Sequence, residues 1–233
     1  MEKDLSVLLA ECLKISPRQK ELYLTALTHS SYAHEHNLGG NAHNERLEFL
    51  GDAVLELTVS EMLYHRFPRV PEGKLTRFRA GLVCEESLVR LAEKLQLGAY
   101  LRLGRGEAAS GGRRRPSLLA DALEALLGAI YLDLGFAAVR KVVAELFQPL
   151  FNELENGSLL NDYKTLLQEY TQAKMAMTPE YIIVRESGPD HDKIFVAQLL
   201  LGGRIYGEGS GRSKKEAEQE AARAAYERLV NNK

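Results

Sequence analysis

Four acidic residues, Glu45, Glu48, Asp52 and Glu56, recur three and four positions apart in residues 43–57. On an α-helix turning about 100° per residue they fall within an arc of roughly 80°. Leu47, Leu50, Val54 and Leu57 take the opposite face and are expected to be buried. Like charges at this spacing repel by a few tenths of a kcal/mol per pair, so the stripe alone reads as the solvated face of an amphipathic helix. A second acidic pair changes that balance. Asp121 and Glu124 stand one turn apart among Leu118, Leu119, Leu123, Leu126, Leu127 and Ile130, with Ser117 as the expected helix cap. A helix this apolar belongs in a core, where an unpaired carboxylate costs several kcal/mol. Basic partners or a cation must offset that cost. Oxygen-only donors with no Cys or His set select a hard ion, Mg²⁺ or Mn²⁺, over zinc. If the two acidic turns meet, four carboxylates can hold one or two such ions, an arrangement suited to phosphodiester hydrolysis.

The elements that must carry these residues follow from the hydrophobic rhythm. Residues 1–152 read as an all-α domain. Leu5, Leu8, Leu9 and Leu13 open it in a helix stopped by Pro17, and helices follow over 45–67, 75–96, 117–133 and 137–154. Turn-rich stretches at 37–44 and 104–116 separate them. Residues 153–160 turn polar and are expected to form a linker. Residues 161–233 read as a small α+β domain of order α-β-β-β-α. Its helix covers 162–173 and its strands 181–186, 194–201 and 204–208, with Phe195, Ala197 and Leu199 on one side of the pleat. Gly202-Gly203 supplies a hairpin turn. Ser213 and Glu216 form a capping box that opens an alanine-rich helix ending near Val230.

Composition narrows the partners. Thirty Lys and Arg against 32 Asp and Glu give a net charge of −2, so bulk charge does not point to a polyanion. Residues 161–233 are neutral, with 11 basic and 11 acidic side chains, and any polyanion contact there must be local. Arg212, Lys214 and Lys215 gather where the backbone N–H groups and dipole of the last helix favour an anion. The glycine-rich run at 207–211 lacks the Gly-Lys-Ser/Thr order of a phosphate loop and reads as a strand exit. Arg113, Arg114 and Arg115, just before the Asp121 helix, are expected to neutralise phosphates. His34, His36 and His43 match no zinc spacing. Cys12 and Cys84 are too few for a disulfide framework and read as small buried residues, which fits a reducing compartment. No apolar run reaches the roughly 18 residues of a membrane span, and no signal-peptide core follows the first residues. A cytoplasmic protein without a membrane partner is expected.

The unbroken run Asn-Glu-Arg-Leu-Glu-Phe-Leu-Gly-Asp at 44–52 and the run Leu-Ala-Asp-Ala-Leu-Glu-Ala-Leu-Leu-Gly-Ala at 119–129 together resemble the bipartite signature of ribonuclease III. The tail resembles a double-stranded-RNA-binding domain, so the resemblance covers essentially the whole chain. It implies a homodimer with one Mg²⁺-dependent site per subunit, each cutting one strand of a duplex. Asp52 and Glu124 correspond to the residues usually named catalytic, and Glu48, Asp121 and Glu124 to metal ligands. Glu45 matches an acidic position toward RNA or outer water, and Glu72 a supporting acid. Phe49 matches a dimer-contact aromatic, although its place in the pattern alone reads as core. Glu56 receives no role. In the second domain, Thr165, Gln168, Glu169 and Gln172 match a helix that reads the minor groove, His191 a loop entering a neighbouring groove, and Ser213, Lys214 and Lys215 a phosphate contact. Such domains read duplex shape over about 16 base pairs. The implied activity is endonucleolytic cleavage of double-stranded RNA to 5′-phosphate and 3′-hydroxyl ends. It would serve rRNA precursors and some mRNA and tRNA. One rival is a non-cleaving double-stranded-RNA-binding protein, which gains nothing from negative charge facing phosphate. The other is a hydrolase of small phosphoesters, which has no use for the second domain.

Overall fold

The structure is a computed structural model and describes residues 5–156, 159, 163–189 and 193–231. The chain divides into two compact units, Met1–Asn152 and Glu153–Lys233.

The first unit is helical. A short helix α1 (Leu5–Val7) runs on as a π-type turn (Leu8–Cys12). It is followed by α2 (Lys20–Ala26), α3 (Ser30–Glu35), α4 (Glu45–Arg66), α5 (Glu72–Val83) and α6 (Glu85–Lys94). Then come α7 (Arg105–Ala109), α8 (Pro116–Leu134) and α9 (Phe136–Glu155), with 3₁₀ turns at Leu97–Ala99 and Gly112–Arg114. The single helix expected over 75–96 is two. Cys84 adopts an extended conformation between α5 and α6, and Ser87 Oγ bridges the break by donating to Gly81 O at 2.7 Å. Ser117 is not the cap of α8. Pro116, whose fixed φ suits a first helical position, moves the cap back to Arg115. Both cysteines are free and exposed rather than buried.

Helix α8 is the centre of this unit and packs against α2, α4 and α6. Leu123, Ala125, Leu126, Ala129 and Ile130 have no exposed surface. Its crossing with α4 is unusually close because both helices present glycine there. A Cβ on Gly51 would lie 1.8 Å from the Glu124 carbonyl oxygen, and one on Gly128 would lie 2.4 Å from that of Leu47. At the far end of α8, buried Asp133 accepts hydrogen bonds from Arg18 N and Tyr23 Oη, both at 2.8 Å, which anchors α2.

The buried seam of α4 differs from the expected one. Leu47, Val54, Leu55, Thr58, Val59 and Leu63 form it. At about 100° per residue this arc adjoins the acidic stripe instead of opposing it. The consequence is twofold: Glu48 is drawn half inside, and Leu57 is left 59% exposed. Phe49 and Tyr64, 82% and 69% exposed, share that outer side.

The second unit consists of α10 (Tyr163–Met175), β1 (Glu180–Ser187), β2 (Ile194–Leu201), β3 (Arg204–Gly211) and α11 (Lys214–Asn231). The strands form an antiparallel sheet in the order β1-β2-β3. Gly202 and Gly203 close the hairpin at φ 56° and 77°, the positive values a two-residue primed turn requires. Strand β3 is longer than expected, so residues 207–211 are strand rather than exit. Their glycines serve packing: Cβ atoms on Gly207 and Gly209 would lie 2.2 Å from the backbone of Ala221. Ala217, Ala221, Ala222 and Ala225 lock into this smooth surface over Leu167, Ala197, Leu199 and Leu201. Ser213 Oγ accepts from Glu216 N at 3.1 Å, and Glu216 Oε2 accepts from Arg212 N at 2.8 Å. Helix α9 continues to Glu155, so the first part of the linker expected at 153–160 is helical. Among the described residues, no helix is long and apolar enough to cross a membrane.

Candidate metal centre and nucleic-acid surface

The glycine crossing places the fourth residue of α4 beside the second turn of α8. Glu48, Asp121 and Glu124 each bring a carboxylate oxygen within 4.8 Å of the others, and all three side chains are half-buried. Their environment is hostile to charge. Burial pushes the Glu124 carboxyl from 4.5 up to about 7, helped by the charges of Asp52, Glu48 and Asp121 in that order. Burial also raises Glu48, with Asp121, Glu45 and Asp52 adding to it. Asp121 is raised by burial and by Glu85, against a lowering influence of His29. No lysine or arginine figures among the groups acting on these three. Half-buried oxygens converging with no lysine or arginine acting on them are a donor set that fits a hard divalent ion.

The remaining acids take different places. Asp52 is exposed one turn beyond Glu48, and its charge is the largest carboxylate influence on Glu124. Glu45 is exposed, with its Oε1 3.7 Å from His43 Nδ1. Glu72 stands outside the three-oxygen group, in the first turn of α5, and accepts from Thr76 Oγ1 at 2.9 Å. Glu56 is half-buried and does not act on the cluster. Among the described residues, no histidine joins the group.

Two neighbours of Asp121 are invisible in the sequence. Glu85 opens α6 as an ordinary acid in a first helical turn. His29 caps α3, accepting from Ser31 N. Capping can be read from the local pattern Thr28-His29-Ser30-Ser31, but proximity to a residue 92 positions later cannot.

The arginine run is mostly committed to the protein itself. Arg113 donates to Gly98 O at 3.0 Å and Leu101 O at 2.7 Å, while Arg115 pairs with Glu107 at 2.8 Å and reaches Ser110 Oγ at 3.3 Å. The expectation of three phosphate-facing guanidinium groups therefore narrows to exposed Arg114. In the second unit, Arg212, Lys214 and Lys215 are exposed at the start of α11, with Lys214 Nζ 5.9 Å from the Phe195 ring centroid. Gln168 and Gln172 are exposed on α10 and Thr165 is half-buried. The Glu169 side chain and His191 lie outside the described residues. Lys164 is engaged within the unit. It bonds Glu218 at 2.6 Å and sits 4.4 Å from the Tyr181 ring centroid, joining α10 to α11 and β1.

Comparison with known proteins agrees with this division. The family model described as Ribonuclease-III-like matches residues 19–150, and that described as Double-stranded RNA binding motif matches residues 163–229. The curated Ribonuclease 3 of Natranaerobius thermophilus is 54% identical over 209 residues, 90% of each chain. That of Listeria monocytogenes is 48% identical over 225 residues, covering 96% of this chain and 97% of its own. A solved nuclease domain of ribonuclease III from Campylobacter jejuni superposes at a TM-score of 0.58 with 40% identity, covering 64% of this chain and 97% of that one. A second structure of that domain, described by flexibility in a region involved in dimer formation, gives 0.57 at 40% identity, covering 62% and 96%.

Proposed function

The chain belongs to the ribonuclease III family, and from that premise we propose that it is a Mg²⁺-dependent endonuclease of double-stranded RNA, leaving 5′-phosphate and 3′-hydroxyl ends. The observation that carries the reading is the meeting of Glu48, Asp121 and Glu124 oxygens within 4.8 Å. These three residues would hold Mg²⁺, with Mn²⁺ as a substitute. Bound there, the ion supplies Lewis acidity toward the phosphate and a nucleophile from water at neutral pH. Asp52, whose charge acts on Glu124, would orient the attacking water and accept its proton. Glu45 would face RNA or outer water, and Glu72 is a supporting acid, both by their family positions. Arg114 would offset the repulsion between the carboxylates and the RNA backbone.

In the second unit, Gln168 and Gln172 suit 2′-hydroxyls and base edges in the wide A-form minor groove, while Lys214 and Lys215 suit phosphates. Shape readout of this kind serves many transcripts. Maturation of rRNA precursors and cleavage of some mRNA and tRNA are the corresponding cellular roles, in a reducing cytoplasm where exposed free Cys12 and Cys84 persist. Phe49, Leu57 and Tyr64 form an apolar side of α4 that would meet the same side of a second copy, giving a homodimer with one site per subunit.

The deciding experiment runs cleavage and band-shift assays in parallel on duplex RNA. Glu124→Ala is expected to abolish Mg²⁺-dependent cutting while retaining wild-type affinity, and a chelator is expected to stop the unaltered protein. Cutting that survives the substitution or the chelator overturns the assignment. Duplex binding without any cleavage by the unaltered protein in Mg²⁺ would make it a binding protein instead.

A further inference from the structure

The dipeptide Leu101-Arg102 bonds toward the starts of both acid-bearing helices. Arg102 N donates to Leu27 O at 2.8 Å and Arg102 O accepts from His29 N at 3.0 Å, so its backbone flanks Thr28. Thr28 O in turn accepts from Asn44 N at 2.9 Å, at the cap of α4. Asn44 O accepts from Leu47 N at 2.8 Å and from Glu48 N at 2.9 Å. The first turn of α4 therefore hangs on Thr28. On the other side, Leu101 O accepts from Arg113 Nη1 at 2.7 Å, and the same nitrogen donates to Gly98 O at 3.0 Å. Arg113 stands two residues before Arg115, the cap of α8. Glycine at 98 lets the two segments meet: a Cβ there would lie 2.1 Å from Arg113 O.

The side chains reinforce this brace. Thr28 has one hydroxyl proton and gives it to Leu24 O at 2.6 Å, so its Oγ1 accepts from Arg102 Nη1, 3.3 Å away. Arg102 Nη2 donates to Tyr32 Oη at 3.1 Å, and the guanidinium carbon lies 4.4 Å from the Tyr32 ring centroid. A planar fork holds two acceptors in fixed directions, whereas a lysine ammonium is a point charge without that geometry. Thr28 and Asn44 are both buried, where an unmade backbone hydrogen bond costs free energy.

We infer that Arg102 and Arg113 are positioning residues: from inside the fold they fasten the starts of α4 and α8 to one dipeptide and so set the distance of the Glu48 carboxylate from those of Asp121 and Glu124. Arg113 thereby serves the site without meeting phosphate, unlike exposed Arg114. The inference rests on the metal-centre reading above. A misplacement of about 1 Å, caused far from the chemistry, is enough to slow a reaction about 100-fold.

Kinetics and calorimetry on the full chain provide the test. Arg102→Lys and Arg113→Lys are each expected to lower kcat for duplex cleavage by about 10–100-fold and to weaken Mn²⁺ binding measured without RNA. KM and the salt slope of duplex binding are expected to stay those of the unaltered protein. Arg114→Ala is expected to do the reverse, raising KM and lowering the salt slope by roughly one. Tyr32→Phe, which keeps the ring and loses the hydroxyl, is expected to lower kcat by a smaller factor and to add little to Arg102→Lys, since both break one contact. Amide exchange at Asn44 in the metal-free protein is expected to quicken in Arg102→Lys. Variants that melt lower yet keep kcat and Mn²⁺ affinity would reduce both arginines to a stabilising role and overturn the inference. A reduced salt slope in Arg113→Lys would place that residue on phosphate and overturn its part. Both results leave the metal centre standing, whereas no Mn²⁺ binding by the unaltered protein overturns the two together. Should either lysine variant fail to fold, Tyr32→Phe decides through kcat, Mn²⁺ affinity and Asn44 exchange.

Discussion

Glu124 must lose a proton before it can serve as a ligand, and its carboxyl is held near 7 by burial and three neighbouring carboxylates. Two consequences of opposite sign follow. A folded-state value above the ordinary 4.5 means that the folded chain binds the extra proton between those limits. Stability of the metal-free protein is then fully present below about 4.5 and is lost as pH rises through about 7. Glu48 and Asp121 shift the same way and add to the trend. Thermal melts in chelator are expected to show it, and Glu124→Gln is expected to flatten the profile and melt higher than the unaltered protein at pH 8. The same variant is expected to cut nothing. Cleavage at subsaturating Mg²⁺ is expected to fall as pH drops through about 7, because protons and the ion compete for one carboxylate. Raising Mg²⁺ should move that inflection to lower pH, and a fixed inflection would assign the titration elsewhere.

Elements bring these residues together through absence of side chains as much as through their presence. The α4–α8 crossing has no room for a Cβ at Gly51, whose nearest contacts are backbone atoms of Glu124 itself. Gly51→Ala must therefore move one helix against the other. Overpacking of this kind costs about 1–3 kcal/mol or more, and chemical denaturation is expected to register it along with weaker Mn²⁺ binding, since Glu124 is one of the proposed ligands. The second unit repeats the device with a strand and a helix. A Cβ on Gly209 of β3 would lie 2.2 Å from the backbone nitrogen of Ala221, so Gly209→Val is expected to lift α11 from the sheet. Loss of duplex binding together with amide-exchange protection in α11 would register that separation.

At the scale of the whole molecule, a net charge of −2 leaves RNA affinity to a few placed cations. Replacing Lys214 and Lys215 by Ala is expected to weaken binding equally across duplex sequences. It should also lower the salt slope by roughly one for each phosphate no longer neutralised, measured by band shifts over a salt series. A weakening confined to particular sequences would contradict shape readout. The proposed homodimer rests on the apolar side of α4. Phe49, 82% exposed, shares that side with Tyr64 and Leu57, 69% and 59% exposed. Phe49→Glu is expected to yield monomers in sedimentation experiments while duplex binding through the second unit persists.

The chain itself determined the helical nuclease unit, the α-β-β-β-α tail and the identity of the acids, because helical periodicity, strand alternation and motif spacing are local properties. Local reading fails where a neighbour distant in sequence intervenes. Symmetry with the acidic stripe puts Leu57 in the core, yet α8 packs beside that stripe and leaves Leu57 outside. Arg113 and Arg115 read as phosphate-binding groups in the sequence, but Gly98, Leu101 and Glu107 hold them in the fold. His29 and Glu85 have no spacing relation to Asp121 and become its neighbours only through folding. Which carboxylates share a site is a matter of helix crossing, and that crossing is set by the depth to which two glycines let the backbones approach, a distance no single helix encodes.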